Sequence, residues 1–239
     1  MCVAILKPKD KKITKKMLND CWEGNPDGAG FAFARDGKIA IFQSLKKTEF
    51  INTLWSALKS HNENFLIHFR IKTMGSISIA NSHPFVIDKD NVFAHNGHIH
   101  QMDEFGREAK GNPSDTKLFN HLILKEMGFK FNNRAHFNLI EKYVGLSNKL
   151  VFLNSSGEYK LINEEDWDEV DGVFYSNLFH CATKKTYSSY YDDRDYELFT
   201  LRDEEDGFLP ITQNAWKSRD FQKEEQRRQR ELKKMKEGV

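Results

Sequence analysis

The stretch CVAILK at residues 2–7 decides how the rest of the chain is interpreted. Its apolar run ending in lysine predicts a buried strand that opens the fold. Cys2 follows the initiator methionine directly, and methionine aminopeptidases remove Met1 when the second side chain is small. A chain that begins at Cys2 carries a thiol and an α-amine on one residue, which can act as a nucleophile with its own base. Taken alone, Cys2 is better explained as an ordinary small buried residue.

The remaining periodicity predicts alternating strands and helices, and 19 phenylalanines favour a β-rich core. The order of strands, helices and strands again favours the α+β class. Predicted strands span residues 31–35, 39–43, 64–73, 91–99 and 172–177, with a hairpin over 149–163. Predicted helices span 14–22, 47–61, 112–128 and 133–145; the third has Ser114 or Asp115 as its predicted N-cap and is closed by Gly128.

Length and composition limit the class of protein to which the chain can belong. With 239 residues, 39% hydrophobic and 30% charged, the chain suits one large globular domain plus an appendage. A net charge of +1 gives no global attraction to nucleic acid, and no apolar run approaches a membrane span. Three cysteines and the absence of a signal-peptide pattern predict a reducing cytoplasm. Residues 181–239 are polar and charged, which predicts a poorly packed extension that is partly helical or disordered. Its composition favours a solubilising tail over a nucleic-acid-binding arm.

A polar loop after a predicted strand offers hydrogen-bond donors. Asn96 supplies a side-chain NH₂ and Gly97 an unhindered backbone N–H in the sequence HNG at 95–97. Such donors stabilise the negative charge that develops when a thiolate attacks a carboxamide. A simple hairpin turn is the alternative interpretation.

Two charged residues suit a free amino acid as ligand. Arg70 ends an otherwise apolar strand, and its planar fork matches a carboxylate. Asp115, at a predicted helix start, suits an ammonium group. Alternatively, Arg70 forms a structural ion pair and Asp115 is only a helix N-cap.

The segment HNGHIH at 95–100 also suggests metal binding, because it holds three histidines within six residues. The spacing matches no standard zinc pattern, and no cysteine pair is near. We therefore expect no metal site here.

Six motifs occur in order along the chain: Cys2, NPDGAGFA at 25–32, HFRIKTMG at 68–75, NSHPF at 81–85, AHNGHI at 94–99 and SDTKLF at 114–119. Taken together, they resemble the class II glutamine amidotransferases, which are N-terminal-nucleophile hydrolases. The resemblance is to the compact stand-alone members, some of them in bacteriophage genomes, and it spans residues 2–180.

The resemblance implies a four-layer αββα sandwich of two stacked antiparallel sheets, with no cofactor. It also implies a role for each matching residue. Cys2 is the nucleophile, with its α-amine relaying the proton, and Asn96 and Gly97 form the oxyanion hole. Arg70 and the Thr73 hydroxyl bind the glutamine α-carboxylate, Asp115 and the Gly97 carbonyl bind the glutamine α-ammonium, and His83 organises the loop in which it lies. Two departures concern contacts of the substrate loops: Gly24 stands where the synthases carry Arg, and Met74 where His is frequent.

The implied activity is hydrolysis of L-glutamine, with the ammonia passed to a separate synthase or ligase. A second chain is expected because only about 60 residues follow the hydrolase region. Two alternatives remain open. The same fold can hydrolyse another γ-glutamyl or acyl amide, or it can serve as a non-catalytic binding protein.

Overall fold

Two antiparallel β-sheets form the centre of the protein in a computed structural model that describes residues 2–179. The predicted extension at 181–239 lies outside this range. The first sheet has the order β3-β2-β4-β1-β10-β9 and the second β5-β6-β7-β8. The strands are β1 (Val3–Lys7), β2 (Ala29–Arg35), β3 (Lys38–Ser44), β4 (Phe65–Phe69), β5 (Phe85–Val86), β6 (Asn91–Asn96), β7 (Lys149–Asn154), β8 (Tyr159–Ile162), β9 (Asp168–Val170) and β10 (Val173–Tyr175).

Helices cover the outer faces of both sheets. Thr14 caps the first helix and Asn133 the last, each by accepting a backbone N–H bond in the first turn. Within residues 2–179 no helix is long and apolar enough to cross a bilayer. The helices are α1 (Lys15–Gly24), α2 (Lys47–Ser60), α3 (Asp103–Glu108), α4 (Asp115–Phe119), which continues as a π-helical turn (Asn120–Leu124), and α5 (Arg134–Val144).

Three apolar layers separate the four structural layers. Phenylalanines dominate the two outer ones, while the layer between the sheets uses smaller side chains. Each fully buried phenylalanine contributes roughly 2 kcal/mol of hydrophobic stabilisation. The arrangement confirms the predicted α+β class and the four-layer αββα sandwich. Representative members are Phe31, Phe50 and Phe69 under α1 and α2, Ala4, Ala32 and Ala94 between the sheets, and Phe93, Phe119 and Phe152 under α4 and α5.

Strand β1 is the predicted opening strand, and its residues Val3 to Leu6 are completely buried. Val3 and Ile5 face the helices, whereas Ala4 and Leu6 face the second sheet. Because β1 runs antiparallel to β4 with Val3 opposite Phe69, the chain just before β1 lies beside the chain just after β4. This register brings Cys2 next to the segment that begins at Arg70.

Some predicted boundaries were wrong. The strand predicted over 64–73 ends at Phe69, since the polar residues that follow form a loop. The helix predicted over 112–128 has Ser114 as its N-cap, one of the two predicted caps, but it changes to π-helical pairing at Asn120 and ends at Leu124, before the predicted end at Gly128. The short strands β5 and β9, with two and three residues, were not predicted because they are too short to show a period.

Candidate active site

Cys2 lies at the entrance to β1, where backbone groups hold it. Its Sγ is 3.3 Å from the Ile71 carbonyl oxygen, and the Ile71 N–H points at the sulfur with an N–S distance of 3.4 Å. The Cys2 carbonyl accepts a 2.7 Å hydrogen bond from Asn177 Nδ2. Burial raises the pKa of the Cys2 thiol, while the Ile71 N–H and the charge of Arg70 act in the opposite direction. The thiol therefore needs a base close by if it is to react as thiolate.

Arg70 lies directly beyond β4, with a side chain that is almost fully buried. Its Nη1 donates to the Ser76 carbonyl at 2.9 Å and its Nη2 to the Met74 carbonyl at 2.8 Å. Burial lowers the pKa of Arg70, whereas the neighbouring Cys2 thiolate and Asp115 favour its charged form. Two of its five N–H donors are used by these bonds, so the guanidinium can also bind an anion.

Asp115 reaches from the first turn of α4 back to the loop after β6. Its Oδ2 accepts the Ile99 N–H at 2.8 Å, and His98 Nδ1 lies 3.7 Å from the same oxygen. The N-cap of α4 is Ser114, whose hydroxyl accepts from Lys117 N–H at 3.2 Å. The alternative interpretation of Asp115 as an N-cap was therefore wrong, and its buried carboxylate faces the site.

Asn96 is the last residue of β6, and Gly97 begins the loop whose Ile99 N–H donates to Asp115. Strand β6 pairs with β5 and β7, so the two residues do not form a hairpin turn. The Asn96 side chain is buried, and its Oδ1 has no hydrogen-bond partner within residues 2–179. Gly97 has φ +145°, and a Cβ there would overlap Asn148 Oδ1. Only glycine fits this conformation.

His95 anchors the loop from below. Its Nδ1 is 2.7 Å from Thr116 Oγ1 and its Nε2 2.7 Å from Asn148 Oδ1, and burial lowers its pKa. The ring therefore bridges β6 to α4 and to the start of β7. Of the three histidines in HNGHIH, His95 is therefore the one whose two ring nitrogens both bond to buried side chains of the protein.

Two further histidines pack beneath the loop. His68 Nε2 donates to the His95 carbonyl at 3.0 Å, and burial lowers the pKa of His68 to about 3. The ring of His83 lies 3.9 Å from that of His68, measured between centroids, and burial also lowers the His83 pKa well below its usual value. His83 contacts Phe85 on its other side. This internal position favours the loop-organising role over contact with a ligand.

Thr73 is placed less favourably than the other predicted residues. Its side chain is exposed in the loop after Arg70, and among the described residues its hydroxyl has no hydrogen-bond partner. The Arg70 guanidinium instead holds this loop by donating to the carbonyls of Met74 and Ser76, which follow Thr73 in the chain.

Asparagines that were not predicted individually support the site. Asn81 donates to the Ser76 carbonyl at 3.0 Å and accepts the Ser114 N–H at 3.0 Å, so it ties the Arg70 loop to α4. Asn148 and Asn177 hold His95 and the Cys2 carbonyl. Asn81 lies in the NSHPF motif and Asn177 follows the last strand of the domain. In the sequence these residues are only asparagines within or near a motif or a predicted strand. That signal does not indicate which group each side chain contacts.

A two-sheet αββα sandwich with a cysteine at the start of its central strand defines the N-terminal-nucleophile type of fold. The sequence model of the class II glutamine amidotransferases matches residues 19–162, more than half of the chain. The chain belongs to this family. The matched range contains Arg70, Asn96, Gly97 and Asp115, while Cys2 precedes it.

Two relatives are similar in sequence. An uncharacterized protein of Methanocaldococcus jannaschii is 28% identical over 222 residues, covering 82% of this chain and 59% of its own length. A Haemophilus influenzae protein with the provisional name glutamine amidotransferase is 30% identical over 93 residues, 36% of this chain and 30% of its own length. The chain thus spans less than two thirds of either relative.

Two solved structures are similar in backbone. Glutamine phosphoribosylpyrophosphate amidotransferase from B. subtilis, in complex with ADP and GMP, aligns with TM-score 0.44 and 13% identity over 73% of this chain and 41% of that one. A glutamine aminotransferase class-II domain protein from Silicibacter pomeroyi aligns with TM-score 0.37 and 14% identity over 65% and 73%. Because both scores are low, the family assignment rests on the sequence model.

Proposed function

We propose that the protein hydrolyses the side-chain amide of L-glutamine with Cys2 as nucleophile. The observation that carries this proposal is the position of Cys2 beside the segment that begins at Arg70, where Val3 pairs with Phe69 and the Ile71 N–H points at the sulfur. The charges of Arg70 and Asp115 both act on the pKa of the Cys2 thiol, which supports a site shared by the three residues. A thiol, a guanidinium and a carboxylate match the amide, the α-carboxylate and the α-ammonium of one amino acid.

The reaction has two steps that pass through a thioester. In the first, the Cys2 sulfur bonds to the glutamine Cδ, and the thiol proton moves to the α-amine of Cys2. The C–N bond then breaks, and that proton leaves on the ammonia. In the second step, water attacks the γ-glutamyl thioester while the amine accepts its proton. The C–S bond breaks, the thiol regains a proton, and glutamate is released.

The α-amine supplies the base that a buried thiol requires. Removal of Met1 exposes this amine, which titrates near pH 8 in model compounds and so accepts and donates protons near neutral pH. The Ile71 N–H, 3.4 Å from the sulfur, stabilises the thiolate as it forms. Asn96 and the Gly97 N–H bind the carbonyl oxygen as it becomes negative.

Substrate recognition follows from the two charged side chains. The Arg70 N–H groups that do not hold the Met74 and Ser76 carbonyls bind the α-carboxylate, assisted by the Thr73 hydroxyl. One oxygen of Asp115 accepts the Ile99 N–H, and the carboxylate binds the α-ammonium with its remaining capacity. The Gly97 carbonyl is a second acceptor for the ammonium.

The ammonia passes to an acceptor enzyme on another chain. The reaction requires a reduced thiol, which a reducing cytoplasm supplies. Neither Cys2 nor Cys21 forms a disulfide among the described residues.

Intact mass combined with labelling by diazo-oxo-norleucine, a glutamine-mimicking electrophile, tests the proposal. We expect a mass without Met1, one label on Cys2, and equal amounts of glutamate and ammonia from glutamine. Cys2→Ser should abolish both labelling and turnover. Cys21→Ser, which changes a fully buried thiol in α1, should abolish neither.

Two results would overturn the proposal. One is full glutaminase activity in Cys2→Ser, and the other is an active protein that retains Met1. A panel of γ-glutamyl and acyl amides compares glutamine hydrolysis with the related amidase activities. Acyl amides lack the α-carboxylate and α-ammonium that Arg70 and Asp115 are proposed to bind, whereas γ-glutamyl amides keep both groups and are distinguished from glutamine by their kcat/KM.

A further inference from the structure

His98, His100 and Asp103 gather their side chains at the edge of the candidate active site. His98 Nε2 is 2.7 Å from Asp103 Oδ1, and His100 Nδ1 is 3.5 Å from Asp103 Oδ2. The two imidazole rings meet edge to face with centroids 4.4 Å apart. One ligand atom from each residue lies within 4.8 Å of the others, so the three atoms can reach one ion.

The ligand atoms of these three side chains determine which class of metal ion the cluster suits. Two imidazole nitrogens and one carboxylate suit zinc and similar transition metals, whereas magnesium and calcium prefer oxygen ligands. The side chains of His98, His100 and Asp103 are 33%, 78% and 39% exposed. Because these side chains are exposed, an ion bound there would keep water in its remaining coordination position and would exchange with ions in solution.

His98 connects this cluster to the proposed substrate site. Its other ring nitrogen, Nδ1, lies 3.7 Å from Asp115 Oδ2. Metal-bound histidines usually direct their second ring N–H towards a carboxylate, and Asp115 is the carboxylate on that side of His98. The groups follow the order Asp115 carboxylate, His98 ring, metal site.

We propose that His98, His100 and Asp103 bind a zinc-class ion, and that the bound ion weakens the binding of glutamine. The second half rests on the proposed function, in which Asp115 holds the α-ammonium. The metal occupies Nε2 of His98, so the neutral ring carries its proton on Nδ1, the nitrogen that lies 3.7 Å from Asp115 Oδ2. The polarised N–H and the nearby positive charge of the ion both reduce the attraction of Asp115 for an ammonium group.

The proposal revises the sequence-based expectation of no metal in HNGHIH. His95 does not take part, since Thr116 and Asn148 hold its ring. The third ligand, Asp103, lies outside the motif and comes close through the short helical turn at His100–Met102.

Zinc titration by calorimetry tests the binding half. The full chain is used in a Cys2→Ser background, which removes the nucleophilic thiol as a competing ligand. We expect one zinc site whose affinity falls by about tenfold or more in His100→Gln and in Asp103→Asn. His136→Gln, which changes a histidine on α5 outside the cluster, is the matched control and should keep that affinity. Zinc affinity that is the same in all three variants would overturn the site.

Steady-state kinetics of the wild-type chain tests the coupling. Added zinc should raise the KM for glutamine with little change in kcat, a chelator should reverse this, and His100→Gln should suppress it. If zinc binds but leaves the KM unchanged, the coupling to Asp115 is wrong. If the wild type does not hydrolyse glutamine, the proposed function fails, while the calorimetry still decides the metal site.

Discussion

The sulfur of Cys2 lies 3.4 Å from the backbone nitrogen of Ile71, although 69 residues separate the two along the chain. The register of β1 and β4 creates this contact, because Val3 opposite Phe69 leaves Cys2 beside the residues that follow β4. The same loop contains Arg70. One strand pairing therefore positions both the proposed nucleophile, Cys2, and the residue proposed to bind the substrate carboxylate, Arg70.

Replacing Asn96 by alanine should lower kcat by about 10²-fold to 10³-fold with little change in KM. The reason is that its amide is proposed to bind charge that exists only in the transition state. Asn91→Ala is a matched control, since Asn91 begins the same strand and its amide bonds to Asp88 instead. Equal kcat values in the two variants would remove Asn96 from the oxyanion hole.

Replacing Asp115 by asparagine should raise the KM for glutamine by roughly 10-fold to 100-fold, the value of a charged hydrogen bond. Asparagine keeps an oxygen that can accept the Ile99 N–H, so the loop should stay in place. Glutaramic acid, which resembles glutamine without the α-amine, provides the control. Its kinetics should be the same in wild type and variant; an equal loss for both substrates would indicate a structural role.

Replacing Gly97 by alanine should lower both kcat and the melting temperature. The new Cβ would overlap Asn148 Oδ1, and φ +145° is unfavourable for alanine. Gly128→Ala is the control for backbone strain alone, because Gly128 has φ +60° and nothing within 4 Å of the added atom. Thermal denaturation should show the larger loss for Gly97→Ala. Similar losses would contradict the overlap.

The free energy of unfolding should fall as the pH decreases from about 6.5 towards 3, in part because of His68. Its folded pKa of about 3 lies below the ordinary value of 6.5, so in this window the unfolded chain binds a proton that the folded protein excludes. The slope contributed by one such residue approaches about 1.4 kcal/mol per pH unit. Urea denaturation at several pH values should show a smaller slope for His68→Gln. An unchanged slope would mean that His68 is protonated in the folded state.

Local patterns were sufficient for much of the fold. The apolar run of CVAILK predicted β1, and the spacing of Phe50 and Leu54 predicted α2 almost to its boundaries. These features depend on side chains that are close in sequence, so their period can be read directly. The motifs also predict Cys2, Arg70, Asn96, Gly97 and Asp115 as site residues, and their roles stay predictions.

The sequence by itself determined the layered α+β class and the family, because periodic apolar residues and ordered motifs are written along the chain. Only the tertiary structure decided that Asp115 faces the loop after Gly97, that Asn177 holds the Cys2 carbonyl, and that His98 and His100 meet Asp103. These contacts join segments whose proximity depends on strand register and on how α4 packs against the sheet. Register is a property of the whole folded core, and no local pattern specifies it.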